Sequence, residues 1–436
     1  MNVPKYAQIV YDKIIGSGYE AFFVGGCVRD ALMGREPSDY DITTNAKPAE
    51  IKALFNEADI LPIGEKHGTI GIKSEGNVVE VTTYRVDGEY EDNRRPKEVT
   101  FTANIEEDLA RRDFTINAIG IGRRFADPFG GREDIERKLI RCVGDPDRRF
   151  AEDALRILRA LRFASVLDFE IEEKTAESAV RNRRLLKNIS AERIFSEFKK
   201  LICGRGAERV LLKYYEIIST FVPEVIDSVG FDQKNRYHIY DVYTHIVKAV
   251  ASCKQDETVR LALFFHDIGK PYCFTEDEKG GHFYSHAKKS SEIAEATLSR
   301  LKSSSAMKKA VTELVSDHDR IINADKKSVR RVLMKTSPEY FDMLMEVKRG
   351  DALAHAPAFR DGAAYVDALL KLKEEILKDE DCFSQKDLKI NGNDIKALGL
   401  RGKEIGDMIK KLLDAVIEGT CENEREALLR LARSCI

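Results

Sequence analysis

The sequence lacks long apolar segments, paired cysteines and a strong net charge, and each absence argues against a class of protein. No run of about 18 apolar residues occurs, which argues against a membrane-spanning helix. The first residues contain no apolar core of signal-peptide length, so we expect a cytoplasmic protein. The eight cysteines never form a Cys-x-x-Cys pair, which argues against a zinc knuckle or a disulfide framework. A formal net charge of −3 argues against wholesale coating of a nucleic acid, so any such contact would depend on local basic clusters.

Length and composition are those of an ordinary globular chain. At 436 residues the chain can bury a sizeable core and form roughly two to four domains. Hydrophobic residues make up 43% and charged residues 33% of the sequence, which is typical of such proteins. Indications of function must therefore come from local motifs.

One stretch near the N-terminus combines a glycine turn with two carboxylates. A hydrophobic run ends in Gly25-Gly26, which let the backbone turn tightly and approach a ligand without a Cβ in the way. A helical pattern follows over 28–33, so its N-terminal amides would face the turn, where they favour phosphate. A strand-like run then carries Asp39 and Asp41, whose i, i+2 spacing predicts one shared face and a separation of about 7 Å. Such a pair can converge on one or two Mg²⁺ ions, which share oxygen ligands with substrate phosphates.

Either half of this stretch occurs by chance in many proteins, but the two in this order resemble a known family. The sequence resembles the nucleotidyltransferases of the DNA polymerase beta superfamily and, more narrowly, the class II CCA-adding enzymes, whose first motif reads GGxVRDxLxG followed by DxD. Residues 25–34 and 39–41 match this motif. The resemblance implies that Gly26 and Arg29 bind the nucleotide. It also implies that Asp39 and Asp41 hold two Mg²⁺ ions, one activating the RNA 3′-hydroxyl and the other stabilising the leaving pyrophosphate.

The next segment predicts a hairpin and a loop. Residues 70–73 and 78–85 read as paired strands around a Gly76-Asn77 turn. Glu80, on the second strand, is a candidate third metal ligand by the resemblance, and an exposed edge glutamate is the alternative. The polar segment 88–96 predicts a mobile loop. In the resembled family a loop here helps the enzyme change from adding C to adding A, and an ordinary surface loop is the alternative.

Four polar side chains then fall within one short apolar segment. They are Arg111, Arg112, Asp113 and Asn117. Such groups are costly to bury unless they are paired. A nucleotide offers suitable partners, because Arg112 can clamp phosphate while Asp113 and Asn117 can fix the ribose or hold Arg112. The segment matches the family's second motif, RRDFTxNA, and an internal salt-bridge cluster is the alternative.

Residues 151–163 predict an amphipathic helix with a polar column beside its apolar stripe. The stripe consists of leucines at 155, 158 and 161, and the column consists of Asp153, Arg156, Arg159 and Arg162. The carboxylate of Asp153 can accept from the exocyclic amine of cytosine or adenine, while Arg156 can donate to the neighbouring ring acceptors. Uracil and guanine would leave two acceptors facing each other, at a cost of about 1–3 kcal/mol.

The same segment reproduces the family's fourth motif, EDxxRxxRAxRF. By the resemblance, Asp153 and Arg156 select C and A without a template, and the other two arginines of the column support the triphosphate or the orientation of the pair. A solvated helix face is the alternative. Arg193 and Glu197 lie in a segment that matches the fifth motif and are predicted to buttress this helix through an ion pair with each other.

The helical second half carries metal-ligating residue types in the ligand order of HD-type metal phosphohydrolases, which it resembles. The candidate ligands are His245, His266, Asp267 and Asp351, with further candidates at His286 and His318. Imidazole and carboxylate ligands together suit Mn, Fe, Co or Ni, so we expect a second divalent transition metal here. A domain retained only as a helical scaffold is the alternative.

These observations predict an α+β protein. A polymerase-beta-type nucleotidyltransferase head with a mixed sheet and helices is predicted over 1–140, a neck with the nucleotide-selecting helix over 141–205, an all-α body with the HD domain over 206–375, and a helical tail that contacts tRNA over 376–436. The resemblance implies an enzyme that adds or repairs the 3′-terminal CCA of tRNA from CTP and ATP, with HD phosphohydrolase activity as an added expectation and no membrane contact. Three alternatives stay open: an enzyme that adds only the terminal A, a poly(A) polymerase, and an HD phosphohydrolase with an inactive RNA-binding head.

Overall fold

The computed structural model describes residues 1–61, 63–88, 90–91, 95–96, 99–278, 280–378 and 384–436. Contacts within the chain divide it into two compact units. The first unit consists of residues 1–226 with 300–303, and the second of residues 227–299 with 304–436. The finer division into head, neck, body and tail stays a prediction. Residues 89 and 92–94 of the loop predicted at 88–96 lie outside the described residues.

The strands lie mainly in the first unit and form one mixed sheet with short pairs beside it. In chain order they are β1 (Ala21–Val24), β2 (Asp41–Thr44), β3 (Ile60–Leu61), β4 (Thr69–Ser74), β5 (Asn77–Thr83), β6 (Arg85–Asp87), β7 (Tyr90–Glu91), β8 (Arg95–Pro96), β9 (Val99–Phe101), β10 (Gly120–Gly122), β11 (Phe125–Ala126), β12 (Leu139–Ile140), β13 (Glu170–Ile171), β14 (Thr275–Asp277) and β15 (Gly280–His282). The main sheet has the order β11-β10-β1-β2-β5-β4-β3, in which β2 and β5 are parallel and the other neighbours are antiparallel. The predicted hairpin is confirmed, because β4 and β5 pair with Ser74 opposite Asn77.

Both faces of the central strand β1 are buried, because successive side chains of a strand point to opposite sides. Phe22 and Val24 pack in one apolar cluster with Tyr84. On the other face Phe23 stacks on Tyr11, with ring centroids 5.0 Å apart. This double burial holds the ends of β1 and β2, where the candidate site lies.

The helices of the first part of the chain surround this sheet and continue beyond it. They are α1 (Lys5–Gly16), α2 (Gly26–Leu32), α3 (Pro48–Leu54), α4 (Ile105–Ala110), α5 (Gly131–Glu136), α6 (Pro146–Glu152), α7 (Leu155–Leu167), α8 (Glu173–Asn182), α9 (Ala191–Ile202), α10 (Ala207–Lys213), α11 (Tyr215–Ile218) and α12 (Val225–Ser228).

The helix predicted over 151–163 is two helices in the structure. α6 ends just before Asp153, which is extended with φ −137° and ψ 102°, and α7 begins at Leu155. The carboxylate of Asp153 accepts a hydrogen bond from the amide of Leu155 at 3.1 Å. This local bond competes with a continuous helix and explains the break. The predicted apolar stripe is confirmed, since Leu155, Leu158 and Leu161 are buried.

The rest of the chain is helical apart from the hairpin β14–β15. Its helices are α13 (Val242–Ser252), α14 (Glu257–Phe265), α15 (His286–Arg300), α16 (Ser305–Asp317), α17 (Lys326–Lys335), α18 (Pro338–Ala354), α19 (Gly362–Lys378), α20 (Gly392–Lys396), α21 (Lys403–Glu418) and α22 (Arg425–Ser434). Met408, Leu412 and Leu413 of α21 are buried in an apolar cluster with Leu428 of α22. The predicted fold class is confirmed, and the short pairs β12–β13 and β14–β15 are additions to its helical part. None of the described helices has the length and apolar character needed to span a membrane.

Candidate functional site

The sheet brings the glycine turn and one of the two predicted acids to the same point. β1 ends at Val24, directly opposite Asp41, the first residue of β2. The next residue, Gly25, has φ +74°, a conformation that residues with a side chain rarely adopt. A Cβ at this position would lie 3.3 Å from Nη1 of Arg112 and 4.0 Å from Oδ2 of Asp41. Glycine is therefore required both by the backbone conformation and by the close approach of two charged groups.

Asp39 and Asp41 line the same cavity, although only Asp41 belongs to a strand. The prediction that alternation along one strand places them together is therefore wrong, because β2 begins only at Asp41. Burial, followed by the charges of Asp39 and Glu80, raises the pKa of Asp41 to about 6. Within the described part of the chain, no side chain donates a hydrogen bond to the Asp41 carboxylate. A half-buried carboxylate without a donor is stabilised by a cation, so this pair fits a divalent metal that prefers oxygen ligands.

Glu80 lies directly beside Asp41 in the sheet. The two residues are opposite each other in the parallel pair β2–β5. The side chain of Glu80 is exposed and is not part of the cavity lining. Its negative charge still contributes to the raised pKa of Asp41. The assignment of Glu80 as a third metal ligand stays a prediction.

A cavity of about 740 Å³ collects the predicted nucleotide-site residues from motifs that are far apart in the chain. The predicted residues that line it are Gly26, Arg29, Asp39, Asp41, Arg112, Asp153, Arg156, Arg159 and Arg162. They come from the glycine turn, from the start of β2, from the segment after α4, and from the start and length of α7. The structure thus brings all of them together, whereas the role of each stays a prediction.

A buried aspartate, Asp108 of α4, holds the two arginines of the second motif. Its carboxylate accepts from Arg111 at 2.8 and 2.9 Å and from Arg112 at 3.2 Å. The hydroxyl of Thr43 donates to it at 3.2 Å, which connects it to β2. Burial alone would raise the pKa of Asp108, but the two guanidinium groups outweigh burial and hold the pKa below its ordinary value. Asp108 therefore stays ionised and fixes both arginines at the cavity wall.

Asp113 and Asn117 hold two other arginines. The carboxylate of Asp113 accepts from Arg159 at 2.6 and 2.8 Å and from Asn117 at 3.2 Å. The amide oxygen of Asn117 accepts from Arg29 at 2.9 Å. Burial alone would raise the pKa of Asp113, but Arg159 outweighs it and lowers the pKa to about 2. The described residues show no contact of Asp113 or Asn117 with Arg112, and the ribose contact stays a prediction.

The predicted base-selecting pair is anchored by neighbouring groups. Asp153 accepts from Arg193 of α9 at 3.0 Å. Arg156 donates to Glu152 at 2.8 Å and to the carbonyl oxygen of Arg111 at 3.1 Å. Two charged groups held in this way keep one orientation. A site that distinguishes bases by hydrogen bonds requires such fixed groups.

Helix α9 supports α7 through partners other than those predicted. The predicted ion pair between Arg193 and Glu197 is wrong. Glu197 instead pairs with Arg162, with Oε2 2.5 Å from Nε, while Arg193 binds Asp153. The guanidinium of Arg162 also lies 3.8 Å from the ring centroid of Phe163. Both side chains of α9 reach across to the neighbouring segment, so the buttress exists between helices and not along one helix.

Sequence reasoning missed some residues of this site. Asp108 received no role, although its i+3 and i+4 spacing to Arg111 and Arg112 is the spacing of helical ion pairs and could have identified it. Arg85 and Lys200 also line the cavity. Nothing in their local sequence distinguishes them from surface cations, because only the packing of distant segments brings them there.

The second unit contains a buried group of histidines and aspartates, here called the histidine cluster. Its members are His245, His266, Asp267, His286, His318 and Asp351. Their candidate ligand atoms form two groups that share Asp267, each with all atoms within 4.8 Å of one another. Oδ2 of Asp267 lies 3.2 Å from Nε2 of His245, and its Oδ1 lies 3.3 Å from Nε2 of His286. The structure therefore brings the predicted ligands together, with Asp267 between the two groups.

Main-chain hydrogen bonds set the tautomers of several cluster histidines. The Nδ1 atoms contact carbonyl oxygens, His266 with Leu263 at 2.6 Å, His286 with Phe283 at 2.8 Å and His318 with Val315 at 2.6 Å. Because a carbonyl only accepts, Nδ1 carries the proton and Nε2 keeps its lone pair in the neutral ring. The Nε2 atoms of His286 and His318 are 3.2 Å apart, as are those of His245 and His266. A proton or a metal cation must lie between the two nitrogens of each pair, and imidazole and carboxylate donors this close together suit divalent transition metals.

The charges in the cluster favour a cation. Burial alone would lower the pKa of His266, but Asp267 and Asp351 outweigh burial and raise the pKa to about 10. Burial lowers the pKa of His318 to about 3, which keeps that ring neutral. One group of the cluster thus attracts positive charge, and the other offers a neutral imidazole of the kind that ligates metals.

Two further histidines beside the cluster were missed by sequence reasoning. His238 and His355 form a third group of candidate ligand atoms with His245. Nε2 of His355 lies 3.5 Å from Oδ1 of Asp351, four residues earlier, and this spacing is a signal that could have identified it. Burial, with the charge of Lys270, lowers the pKa of His238 to about 2, so its ring is neutral.

Models of known protein families match three parts of the chain. A model described as the poly A polymerase head domain matches residues 21–141. A model described as a probable RNA and SrmB-binding site of polymerase A matches residues 168–228. A model for tRNA nucleotidyltransferase domain 2 matches residues 275–432.

Curated relatives match about half of the chain. A CCA-adding enzyme of Geobacillus thermodenitrificans (strain NG80-2) is 50% identical over 214 residues, which are 48% of this chain and 52% of the relative. A CCA-adding enzyme of Bacillus pumilus (strain SAFR-032) is 50% identical over 236 residues, which are 53% of this chain and 58% of the relative. The chain thus spans about half the length of the curated relatives it matches.

Solved structures match the fold over nearly the whole chain. The Bacillus stearothermophilus CCA-adding enzyme in complex with CTP superimposes with a TM-score of 0.72 at 28% identity, covering 100% of this chain and 98% of that one. The Thermotoga maritima CCA-adding enzyme complexed with tRNA shares the fold, with a TM-score of 0.61 at 19% identity over 98% of this chain and 94% of that one. These matches agree with the resemblance seen in the motifs: the chain is similar to CCA-adding enzymes in sequence over about half of its length and in fold over nearly all of it.

Proposed function

We propose that this chain adds or repairs the 3′-terminal CCA of tRNA, using CTP and ATP and no nucleic-acid template. One observation carries the proposal: two acids, a glycine turn and an arginine-rich helix from separate motifs line one cavity. The match of residues 21–141 to a poly A polymerase head domain supports nucleotidyl transfer as the reaction, with a divalent metal. The match of residues 275–432 to a model for tRNA nucleotidyltransferase domain 2 supports tRNA as the substrate, and the name of the curated relatives supports CCA addition.

The arginines of the cavity suit a triphosphate. Nε of Arg112 is buried and has no hydrogen-bond partner among the described residues, so an anionic ligand would satisfy it. Asp108 and Asn117 hold Arg112 and Arg29 at the wall and thereby reduce the entropy lost on binding. The turn at Gly25 leaves room for phosphate, because no side chain fills the space between Arg112 and Asp41.

Asp39 and Asp41 would hold Mg²⁺ in this cavity, and their oxygen donors are of the type that Mg²⁺ prefers. When bound, Mg²⁺ favours ionisation of the RNA 3′-hydroxyl and neutralises charge on the leaving pyrophosphate. The chain itself keeps the Asp41 carboxylate half-buried and, among the described residues, free of side-chain donors, so that it remains available to a cation.

Base selection falls to Asp153 and Arg156. The carboxylate of Asp153 accepts from the exocyclic amine that C and A have and that U lacks, while the guanidinium of Arg156 donates to ring acceptors. Arg193 and Glu152 hold the two groups in place. A wrong base leaves two acceptors unpaired at a cost of about 1–3 kcal/mol, which corresponds to discrimination of about 5- to 150-fold.

The decisive experiment incubates the protein with tRNA that lacks one, two or three 3′-terminal residues, offers each NTP separately, and sizes the products. We expect CTP alone to add two residues to tRNA that lacks three and one to tRNA that lacks two, and ATP alone to add one residue to tRNA that lacks only the last. UTP and GTP should be incorporated about 5- to 150-fold less efficiently. Asp39→Asn and Asp41→Asn should abolish incorporation. The matched control is Asp134→Asn, a buried aspartate outside the cavity lining.

Other products would identify the rival functions. Addition of A alone to tRNA ending in CC would indicate an enzyme restricted to the terminal residue. A long A tail would indicate a poly(A) polymerase. Incorporation that survives in both acid variants would refute the assignment of the metal site.

The histidine cluster supports a second candidate function. We propose that it binds two divalent transition metals and hydrolyses phosphate esters. One observation favours this function over a purely structural role. In each of two histidine pairs the Nε2 atoms are 3.2 Å apart, and Asp267 lies between the two groups of ligand atoms. When bound, such metals generate a hydroxide nucleophile and polarise the phosphoryl group. The family matches do not themselves support this activity.

Elemental analysis and a phosphatase assay test this second function. The protein purified with Mn²⁺ should hold metal and hydrolyse p-nitrophenyl phosphate. Asp267→Asn should lose both the bound metal and the phosphatase activity. Nucleotide incorporation by the same variant shows whether the protein is folded. A wild-type protein that retains no metal after dialysis against Mn²⁺ would refute the metal site.

A further inference from the structure

The histidine cluster lies in a cleft whose rim is aromatic. The cleft has a volume of about 440 Å³, and its lining includes Asp267 and His286 of the cluster together with Lys270. The rings of Tyr284 and His282 belong to the same lining. Tyr284 is 73% exposed, so most of this large ring faces solvent. An exposed ring beside a polar cleft offers a flat surface to a ligand.

Tyr284 is one half of a stacked pair. Its ring and that of His282 are 5.4 Å apart at their centroids and inclined by 12°. Nε2 of His282 lies 2.9 Å from Oδ1 of Asp277. Phe283, between them in the chain, packs against Phe274 with centroids 5.5 Å apart. One face of the tyrosine is therefore supported, and the rest of the ring is available to another planar group.

The chain keeps this pair close to the cluster. His286 follows Tyr284 by two residues, so their Cα atoms are at most about 7 Å apart. Ser285 between them has φ +63°, a left-handed conformation that is unfavourable for serine. Nδ1 of His286 contacts the carbonyl oxygen of Phe283 at 2.8 Å, which closes this turn. The turn therefore fixes the distance between the ring surface and the cluster.

A nucleotide has the chemistry that fits both parts. The cluster, with the ammonium of Lys270 2.7 Å from Asp267, suits a phosphate group bound through metals. A base stacks on tyrosine whatever its identity, because every base has a π face. We propose that Tyr284, supported by His282, binds the base of a nucleotide whose phosphate occupies the cleft of the histidine cluster. This inference rests on the proposed metal site and names its substrate class: a phosphate carried by a nucleotide, either free or at the end of an RNA.

The absence of tryptophan from the sequence allows a direct test. Tyr284→Trp places a single indole on the proposed surface, and Phe125→Trp, on the exposed edge strand β11 of the first unit, serves as the matched control. Both variants, loaded with Mn²⁺, are titrated with AMP, ribose 5-phosphate and a short RNA with a 3′-phosphate. We expect AMP to quench the indole at 284 saturably and ribose 5-phosphate to leave it unchanged. The fluorescence of the indole at 125 should not be quenched over the same range of AMP concentrations.

Calorimetry on the protein that keeps Tyr284 measures how much the base contributes to the binding affinity. AMP should bind the cleft about 5- to 150-fold more tightly than ribose 5-phosphate. Tyr284→Phe should retain this difference, and Tyr284→Ala should lose it. If RNA quenches the indole at lower concentration than AMP, the source of the phosphate is an RNA end, and the reverse order identifies a free nucleotide.

The outcomes separate this inference from the metal site on which it rests. Equal binding of AMP and ribose 5-phosphate, with no quenching at 284, would overturn the stacking surface even in a protein that holds both metals. A protein without bound metal would refute the metal site, and base-dependent quenching in that protein would still support the stacking surface.

Discussion

Replacing Asp108 with asparagine tests whether this carboxylate positions the arginines of the nucleotide cavity. The side chain is 0% exposed and accepts hydrogen bonds from Arg111, Arg112 and Thr43. Asparagine has the same shape but only one accepting oxygen, so its NH₂ group must face a group that also donates. Whichever way the amide turns, one arginine loses its partner.

The magnitude follows from these contacts. Removing one partner of a buried ion pair costs about 3–5 kcal/mol, so we expect the free energy of unfolding of Asp108→Asn in urea to fall by about that amount. A hydrogen bond to a charged group contributes about 1.5–3 kcal/mol, so the loss of one aligned arginine should lower kcat/KM for CTP by about 10- to 150-fold. Most of this loss should be an increase in KM, because the proposed contacts of the arginines with the nucleotide form before it reacts.

Asp134 offers a matched control in the same unit. It is 3% exposed and binds Arg141 at 3.0 Å and Thr115 at 2.6 Å, outside the cavity lining. We expect Asp134→Asn to lower the free energy of unfolding by a similar amount and to leave the KM for CTP close to the wild-type value. Steady-state incorporation of labelled CTP and urea unfolding measure the two quantities. Equal changes of KM in the two variants would refute the positioning role, because loss of stability alone would then explain both.

Four further predictions follow from single contacts. Gly25→Ala should lower the free energy of unfolding in urea by about 1–2 kcal/mol, because its φ of +74° is unfavourable for alanine; an unchanged value would contradict the required conformation. Because burial raises the pKa of Asp41 to about 6, a proton competes with the metal below that pH, and the Mg²⁺ concentration for half-maximal incorporation should rise about tenfold per pH unit below 6 and stay level above it. A requirement that stays constant down to pH 5 would argue against Asp41 as a ligand. Arg193→Met should free Asp153 and reduce the ratio of kcat/KM for CTP over UTP by at least about fivefold, and an unchanged ratio would show that the contact is not needed for selection. Asp267→Asn should reduce the bound Mn²⁺ per chain in elemental analysis, since this residue lies between both ligand groups, and full retention of metal would contradict that arrangement.

Local chemistry made much of the candidate site predictable. The glycine turn, the two acids and the arginine column were recognisable because each needs a particular residue type at a particular spacing. The same holds for the His266-Asp267 pair, whose partners were predicted by order along the chain. Residues such as Lys200 escaped prediction, because their position in the cavity depends on helices that pack from distant parts of the sequence.

Where prediction and structure differ, the reason is competition between neighbouring groups. Asp153 interrupts a helix that periodicity predicts to be continuous, because its carboxylate caps the amide of Leu155. Arg193 and Glu197 have the spacing of a helical ion pair, yet each finds a partner across the helix interface. Spacing along a helix identifies the residues that can pair, but it does not rank them against partners from other segments.

By itself the sequence determined the fold class, the resemblance to a family and the set of chemical groups, since these depend on residue type and on periodicities within single segments. Only the tertiary structure decided which carboxylate holds which arginine, because several guanidinium groups compete for a few buried acids and the choice depends on distances between separate elements. It also decided that Asp267 lies between two groups of histidine ligands, an arrangement that needs four helices to meet at one buried point.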